Sequence, residues 1–104
     1  MTPIPDPDRA IQELAAKASG KETYRADAGV LFLRTGAIWC PLDDDAQALR
    51  LAVTLLLDIR HVCDEVSVCG LFGEWYTEPV FDDRLPALRR AIVRAAASIG
   101  KLMP

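Results

Sequence analysis

A cysteine placed before a predicted helix is the sharpest candidate for chemistry in this 104-residue sequence. Cys40 stands in Trp39-Cys40-Pro41, between an apolar run and a predicted helix start, where backbone N–H groups and the helix dipole lower a thiol pKa. Asp43 occupies the position three residues on, where a redox motif has its second cysteine, and its charge opposes a thiolate. A thiol-dependent enzyme centred on Cys40 is therefore one alternative, and a buried, unreactive cysteine explains the residue with fewer assumptions.

Metal binding would have to draw on the three cysteines and the single histidine, which are Cys40, Cys63, Cys69 and His61. Their spacings match none of the usual zinc frameworks, in which two cysteines lie a few residues apart as a pair. On a helix, His61 and Cys63 would also point in nearly opposite directions. We therefore expect no metal site and no cofactor.

His61 could instead act as a general base. Asp58 and Glu65 lie three residues before it and four residues after it, so on a helix all three would share one face. The nearest hydroxyl on that face belongs to Thr54, and the sequence contains no Gly-x-Ser-x-Gly elbow. A solvated stripe of paired charges explains the same residues, so we expect no catalytic residue and no small-molecule substrate.

The composition predicts one compact domain. Hydrophobic residues make up 51% of the chain, charged residues 26%, and the net charge is −3. Such a balance excludes a largely disordered chain, and its acidic sign excludes a global attraction to nucleic acid. The opening residues lack the basic and apolar regions of a secretory signal, and no stretch is apolar enough for a membrane span, so we expect a cytoplasmic protein.

Hydrophobic periodicity and turn residues predict the order α-β(β)-α-ββ-α, which is a layered α-β-α sandwich of the α/β class with a small sheet of about three to four strands. Residues 1–7 hold three prolines and are expected to form a flexible arm, so that the domain spans 8–104. The predicted elements are a helix from Asp8 to Gly20, a strand pair within 30–39, a helix from Asp43 to Cys63, a hairpin at 65–80, and a helix from Asp82 or Asp83 to Lys101.

The predicted second helix carries more apolar surface than one neighbour can cover. Over 43–63 the polar side chains fall on one narrow stripe, with the exception of Arg60, which is the one charge inside an apolar arc of roughly 200°. A surface helix typically needs an apolar face of about 100°. We therefore expect this helix to pack against two partners, one of which comes from outside its own sheet.

Aromatic residues are concentrated around the predicted hairpin, at Phe72, Trp75, Tyr76 and Phe81. Side chains alternate between the two faces of a strand, so Trp75 and Tyr76 cannot both point into the core. At least one large amphipathic ring is therefore offered to solvent, to another helix or to a partner, and rings of this kind are enriched in binding hot spots.

The last predicted helix is locally basic on an acidic protein. Between Arg84 and Lys101 it carries Arg89, Arg90 and Arg94 but no acidic residue. Arg90, Arg94 and Lys101 share one face of this helix, and the ridge they form could contact nucleic-acid phosphates or an acidic partner. Basic residues near a helix C-terminus also favour the helix dipole and keep the outer face soluble, which explains the same residues without a partner.

Two helix beginnings resemble those of a known family. Trp39-Cys40-Pro41-Leu42 leads through Asp43-Asp44-Asp45 into the second helix, and Pro86-Ala87-Leu88 opens an alanine-rich C-terminal helix. Together with a short N-terminal helix followed by an apolar strand, they resemble the phage α-β-α sandwich family, which comprises small proteins of phages and prophages. The resemblance implies an α-β-α fold and a phage context, and it carries no catalytic residues.

These observations favour a non-enzymatic accessory protein of a phage or prophage that acts by binding another protein in the cytoplasm of its bacterial host. The expected partner-binding residues are Phe72, Trp75, Tyr76, Arg90 and Arg94. Modulation of a host defence or another host process is one form of this function, and self-association into a homodimer belongs to the same hypothesis. Nucleic-acid binding through the C-terminal arginines and thiol chemistry at Cys40 are the alternatives.

Overall fold

The computed structural model describes residues 6–26 and 29–104, and in that part of the chain three helices and five strands form a mixed α/β fold. The elements are α1 (Asp6–Ala18), β1 (Thr23–Arg25), β2 (Leu31–Leu33), α2 (Asp45–Thr54), β3 (Asp58–His61), β4 (Glu65–Cys69), β5 (Trp75–Pro79) and α3 (Arg84–Lys101). The predicted fold class is confirmed, since the arrangement is compatible with α-β-α layers. The strands belong to two antiparallel sheets, β1-β2 and β3-β4-β5, rather than to one small sheet.

Helix α3 is the centre of the fold. It contacts α1 most extensively, and it also packs against α2, β4 and β5. Its alanines, among them Ala91, Ala95 and Ala96, are fully buried and allow neighbouring backbones to approach closely. The closest approach is at Gly100, where an added Cβ would collide with the backbone carbonyl of Leu14 in α1. Small side chains along α3 therefore determine how tightly the layers pack.

The first helix begins two residues earlier than predicted. Helix α1 starts at Asp6, so Pro7 and Asp8 lie in its first turn and Asp8 is not the residue that precedes the helix. Proline is tolerated there because the first N–H groups of a helix have no intrahelical partner. Asp6 and Pro7, which were predicted to lie in the arm at 1–7, thus belong to α1, and residues 1–5 lie outside the described part of the chain.

The prediction of one helix from Asp43 to Cys63 is wrong. Asp44 caps α2 by accepting a hydrogen bond from the backbone N–H of Gln47, and the helix ends at Thr54. Leu56 has φ +55°, its N–H donates to the Val53 carbonyl, and the N–H of Leu57 donates to the Ala52 carbonyl. This is a Schellman ending, in which a left-handed residue normally supplied by glycine is here a leucine.

Residues after this ending form a strand instead of continuing the helix. Asp58–His61 is β3 and pairs antiparallel with β4, whose Val66 and Val68 are fully buried. The expected helical stripe of Asp58, His61 and Glu65 therefore does not exist, because Glu65 lies on the neighbouring strand. By their sequence, these residues are equally compatible with a helix. Pairing with β4 supplies hydrogen-bond partners for their backbone N–H and C=O groups, and they therefore form a strand.

The predicted hairpin at 65–80 is confirmed as β4 and β5, joined through a turn in which Gly73 has φ +80°. The predicted strand pair within 30–39 is shorter than expected: β2 returns through a turn to a single bridge between Phe32 and Ile38. Strand β1, which pairs with β2, was not predicted. Its three residues, Thr23–Arg25, show no apolar periodicity from which a strand could be predicted.

Candidate docking surfaces

The outer face of the three-stranded sheet, which we call the open sheet face, carries Arg60, Ser67, Trp75 and Thr77. The alternation of side chains places these residues opposite to Val68 and Tyr76, which pack towards the core. The Ser67 and Thr77 hydroxyls are hydrogen-bonded at 2.7 Å. Trp75 is 45% exposed, and the Arg60 guanidinium lies 4.7 Å from its ring centroid. A cation–π contact thus orders a large solvent-exposed ring on a sheet surface.

Tyr76 lies on the opposite side of the sheet from Trp75. Its ring packs against the core, the Arg94 guanidinium lies 5.3 Å from its centroid, and its hydroxyl donates to the Glu74 carboxylate at 2.8 Å. Burial, with the Glu74 carboxylate as a further contribution, raises the pKa of the Tyr76 hydroxyl. Of the two neighbouring rings, Trp75 is thus the one that the open sheet face presents.

Phe72 and Phe81 are also exposed, each at one end of the β4–β5 hairpin region. Phe72 lies in the turn between β4 and β5, which is closed by a hydrogen bond from the Gly70 N–H to the Glu74 carbonyl. Phe81 follows β5, immediately before α3. Phe72 is therefore a second exposed ring, in the turn that precedes the strand carrying Trp75.

The arginines of α3 all contact acceptors within the chain. Arg90 forms two hydrogen bonds to the Asp8 carboxylate, and Arg94 contacts Glu78 and the Thr77 carbonyl. Arg89 bonds the Asp45 carboxylate at 2.6 Å and the Leu42 carbonyl at 2.7 Å. Arg84 donates to the carbonyls of Cys63 and Glu65. The guanidinium groups of these arginines thus connect α3 to α1, to α2 and to the sheet.

A second exposed apolar surface, which we call the Ile59 patch, consists of Leu49, Val53, Leu56, Ile59 and Leu85. It lies where α2, β3 and the first turn of α3 meet. Leu56 is 83% exposed, which leaves an apolar side chain in water, and its positive φ is a conformation that leucine rarely adopts. Both its solvation and its backbone conformation are therefore unfavourable. The sequence did not predict this patch, because its apolar pattern favours one long helix. The surplus of apolar residues after Asp43 did indicate that part of the apolar surface would be left exposed.

The segment around Cys40 is fixed by two glutamines. Trp39 is 2% exposed and donates its indole N–H to the Gln12 carbonyl at 2.8 Å. The Gln12 side chain accepts from the Leu42 N–H at 3.2 Å, and the Gln47 side chain accepts from the Cys40 N–H at 2.7 Å. These bonds satisfy buried polar groups and set the path of the chain into α2.

The Cys40 thiol is held in its protonated form. Burial, followed by a hydrogen bond from the thiol to the Asp43 carboxylate at 3.2 Å, raises the pKa of Cys40 to about 11. A nucleophilic cysteine needs the opposite shift, because the thiolate is the reactive form. The environment of Cys40 therefore opposes the thiol chemistry that its position before a helix could support.

The remaining candidate ligands are not brought together. Cys63 follows β3, Cys69 ends β4, and His61 lies with its Nδ1 3.5 Å from the Arg84 guanidinium. Within residues 6–26 and 29–104, no group of three or more His, Cys, Asp or Glu side chains is arranged to hold a metal ion.

A shallow cleft of about 300 Å³ opens between α2 and the β1-β2 sheet, with Leu33, Trp39 and Leu51 among its apolar lining residues. Gln47 also lines it, but its side-chain amide already donates to the Ile38 carbonyl at 2.6 Å and accepts from Cys40. The polar side chain of Gln47 in this cleft is therefore already hydrogen-bonded to the backbone of the protein.

Comparisons of this chain with protein-family models, with curated proteins and with solved structures find no match. None of the helices in the described part of the chain combines the length and the apolar character that a bilayer span requires.

Proposed function

We propose that this chain is a non-enzymatic binding protein that docks onto another protein through the open sheet face, with Trp75 as the anchor. A role as an accessory protein of a phage or prophage, acting in the cytoplasm of the bacterial host on a defence system or another host process, is part of the proposal. That context is supported by the resemblance of the Trp39-Cys40-Pro41-Leu42 and Pro86-Ala87-Leu88 helix beginnings to the phage α-β-α sandwich family.

The exposure of Trp75 is the observation that carries the proposal. Its indole is 45% accessible at the start of a strand in an ordered sheet, and Phe72 is exposed in the adjoining turn. Tryptophan is among the residues most enriched in binding hot spots, since it buries a large rigid area at a low entropic cost. Arg60 holds the ring from one side, so little freedom is lost on docking.

The charges favour a protein over a nucleic acid as the partner. Asp58 and Glu65 lie on the same face of the sheet as Arg60, and the net charge of the chain is −3. Arg90 and Arg94 point to Asp8 and Glu78, so their charges are partly neutralised before any phosphate arrives. Nucleic-acid binding needs several cations that displace the counterions of phosphates, and on the open sheet face Arg60 is accompanied by the carboxylates of Asp58 and Glu65.

Capture with paired variants tests the proposal. The tagged protein, Trp75→Ser and Leu102→Ser are each incubated with lysate of the bacterial host and cross-linked, and the bound proteins are identified by mass spectrometry. Leu102 is the matched control, because it is also an exposed apolar residue and follows the end of α3, outside the strands of the sheet. Circular dichroism of both variants checks that they are folded.

The expected result is a protein species that the wild type and Leu102→Ser retain in similar amounts and that Trp75→Ser loses. Equal retention by all three forms, or capture that disappears after nuclease treatment, contradicts docking of a protein at Trp75. A Phe72→Ser variant is expected to show a smaller loss, because its ring lies at the edge of the surface.

A further inference from the structure

Strand β3 is an open edge of the three-stranded sheet. It pairs with β4 on one side, and no other strand of the described residues pairs with its second side. The N–H of Val62 donates to the Glu65 carbonyl, so with the observed register the backbone of Asp58 and Arg60 bonds to β4. The N–H and C=O groups of Ile59 and His61 therefore point outwards, as a template for another strand.

The side chains of this edge are complementary to themselves. We propose that a second copy of this chain pairs its β3 with β3 in antiparallel register, around a two-fold axis that passes through Ile59. Ile59 then lies opposite Ile59 of the second copy on the helix side of the sheet. Asp58 lies opposite the second copy's Arg60 on the other side, and the symmetry repeats this ion pair. The two three-stranded sheets become one sheet of six strands.

Charge selects this register over its neighbours. Pairing centred on Asp58 would bring two Asp58 carboxylates together, and pairing centred on Arg60 would bring two guanidinium groups together. Pairing centred on His61 would place Asp58 opposite Asp64 of the other copy. In the register centred on Ile59, Asp58 faces Arg60 of the second copy on each side of the axis. Both are non-hydrogen-bonded pairs, in which side chains approach most closely.

The Ile59 patch supplies the apolar part of the same interface. Leu49, Val53 and Leu56 lie beside Ile59 on the helix side of the sheet, and all four are exposed in the single chain. A two-fold axis at Ile59 brings this surface against its own copy. Pairing of edge strands supplies hydrogen bonds and register, and the adjoining leucines supply area to bury.

Arg60 must turn for this pairing to form. In the single chain its guanidinium lies over Trp75, towards β5, and its side chain is exposed and able to reorient. In the pair it reaches across the open edge to Asp58 of the second copy, which leaves the Trp75 ring uncovered. Arg60 is thus shared by the two proposals: in the pair the Trp75 ring stays exposed but is no longer held by Arg60.

Complementary charge reversals test the pairing by sedimentation velocity over a range of protein concentrations. Arg60→Asp leaves two carboxylates opposite each other, and Asp58→Arg leaves two guanidinium groups opposite each other. Each single variant is expected to weaken self-association about tenfold or more, since two favourable cross-strand pairs become two unfavourable ones. Lys21→Asp is the matched control, because it makes the same charge change as Arg60→Asp at an exposed residue between α1 and β1, outside the three-stranded sheet.

The decisive sample is the mixture of the two single variants. In a mixed pair, the two substituted positions face each other with opposite charges, and the native Arg60 of the Asp58→Arg chain faces the native Asp58 of the Arg60→Asp chain. A heterodimer is therefore expected where neither variant alone associates. The double variant D58R/R60D is expected to self-associate again.

Two results would overturn the pairing. One is a wild type that stays monomeric at every concentration, and the other is a set of reversals that act no differently from Lys21→Asp. Trp75→Ser is expected to keep the dimer, so failure of the docking function and failure of the pairing are distinguishable.

Discussion

The guanidinium of Arg60 lies 4.7 Å from the ring centroid of Trp75, although the two residues belong to strands β3 and β5, which are not neighbours in the sheet. The contact therefore reaches across β4, on the face that carries the Ser67–Thr77 hydrogen bond. A cation–π contact at an exposed site contributes about 0.5–1 kcal/mol, enough to restrict the ring without burying it. Trp75 is thereby both ordered and accessible, as a docking residue should be.

The two tryptophans should differ strongly in solvent access. In Trp39→Phe the emission comes from the exposed Trp75, and in Trp75→Phe it comes from the buried Trp39, which is 2% exposed. We expect acrylamide to quench the first variant several-fold more efficiently than the second, as measured by Stern–Volmer titration. Similar quenching of both variants would mean that Trp75 is covered in solution.

The Cys40 thiol should resist alkylation until the solution is strongly alkaline. Its pKa is raised from the ordinary 9.0 to about 11, so the rate should rise over that interval when measured in a Cys63→Ser, Cys69→Ser background. In Asp43→Asn, which removes a charge and a carboxylate acceptor, we expect the rate to rise at lower pH. A midpoint near or below the ordinary value in the parent protein would revive a reactive thiol.

The same shift predicts a loss of stability at high pH. The folded state binds the Cys40 proton more tightly than the unfolded state does, so its contribution is fully present below the unfolded value of 9.0. It is lost as the pH rises through 9 towards about 11. Urea unfolding of the parent protein and of Cys40→Ala should show a difference that shrinks over this interval, and a constant difference would contradict the cause assigned.

Gly100→Ala should destabilise the fold even though alanine is the better helix former. The added Cβ meets the Leu14 carbonyl, and overpacking of this kind costs about 1–3 kcal/mol. Gly20→Ala is the control, because nothing lies near its Cβ and only its positive φ of +76° opposes the change, at a cost of about 1 kcal/mol. Urea denaturation measures both, and a Gly100→Ala protein as stable as the wild type would show that α1 and α3 lie further apart.

Leu56→Gly should leave the free energy of unfolding equal or slightly higher. The substitution relieves left-handed strain of about 1–2 kcal/mol and costs about 0.5–1 kcal/mol in chain entropy. Leu55→Gly, at the preceding half-buried position of ordinary φ, should instead lower it by about 1 kcal/mol or more. Measurements at low protein concentration keep self-association out of the comparison, and equal losses in the two variants would argue against the Schellman ending.

Arg90 and Arg94 should matter for stability rather than for phosphate binding. Arg90→Ala is expected to cost about 0.5–1 kcal/mol through the half-exposed Asp8 pair, and Arg94→Ala about 1 kcal/mol through Glu78 and the Tyr76 ring. Lys101→Ala should change stability by less than about 0.5 kcal/mol. Filter binding of DNA at several salt concentrations supplies the opposing test: a salt-dependent signal that both arginine variants abolish would favour nucleic-acid binding.

Elements whose periodicity agrees with their packing were predictable from the sequence. Helix α3 was predicted because apolar residues recur at helical spacing after the Asp83 cap, and the β4–β5 hairpin because Val66 and Val68 alternate with polar residues before Gly73. Alternation also established that Trp75 and Tyr76 face opposite ways. Each of these inferences depends on residues that are close together in the sequence, where local geometry allows few alternative structures.

The end of α2, the edge strand β3 and the use of the arginines were decided by the tertiary structure. Residues 55–62 are apolar enough for either a helix or a strand. Pairing of β3 with β4 and packing of Leu55 and Leu57 against the core make a left-handed Leu56 acceptable. Which carboxylate meets Arg90 depends on α1, 82 residues away in the chain. The sequence alone determined an α/β domain with surplus apolar and aromatic surface, whereas the position of that surface depended on long-range contacts that no local pattern encodes.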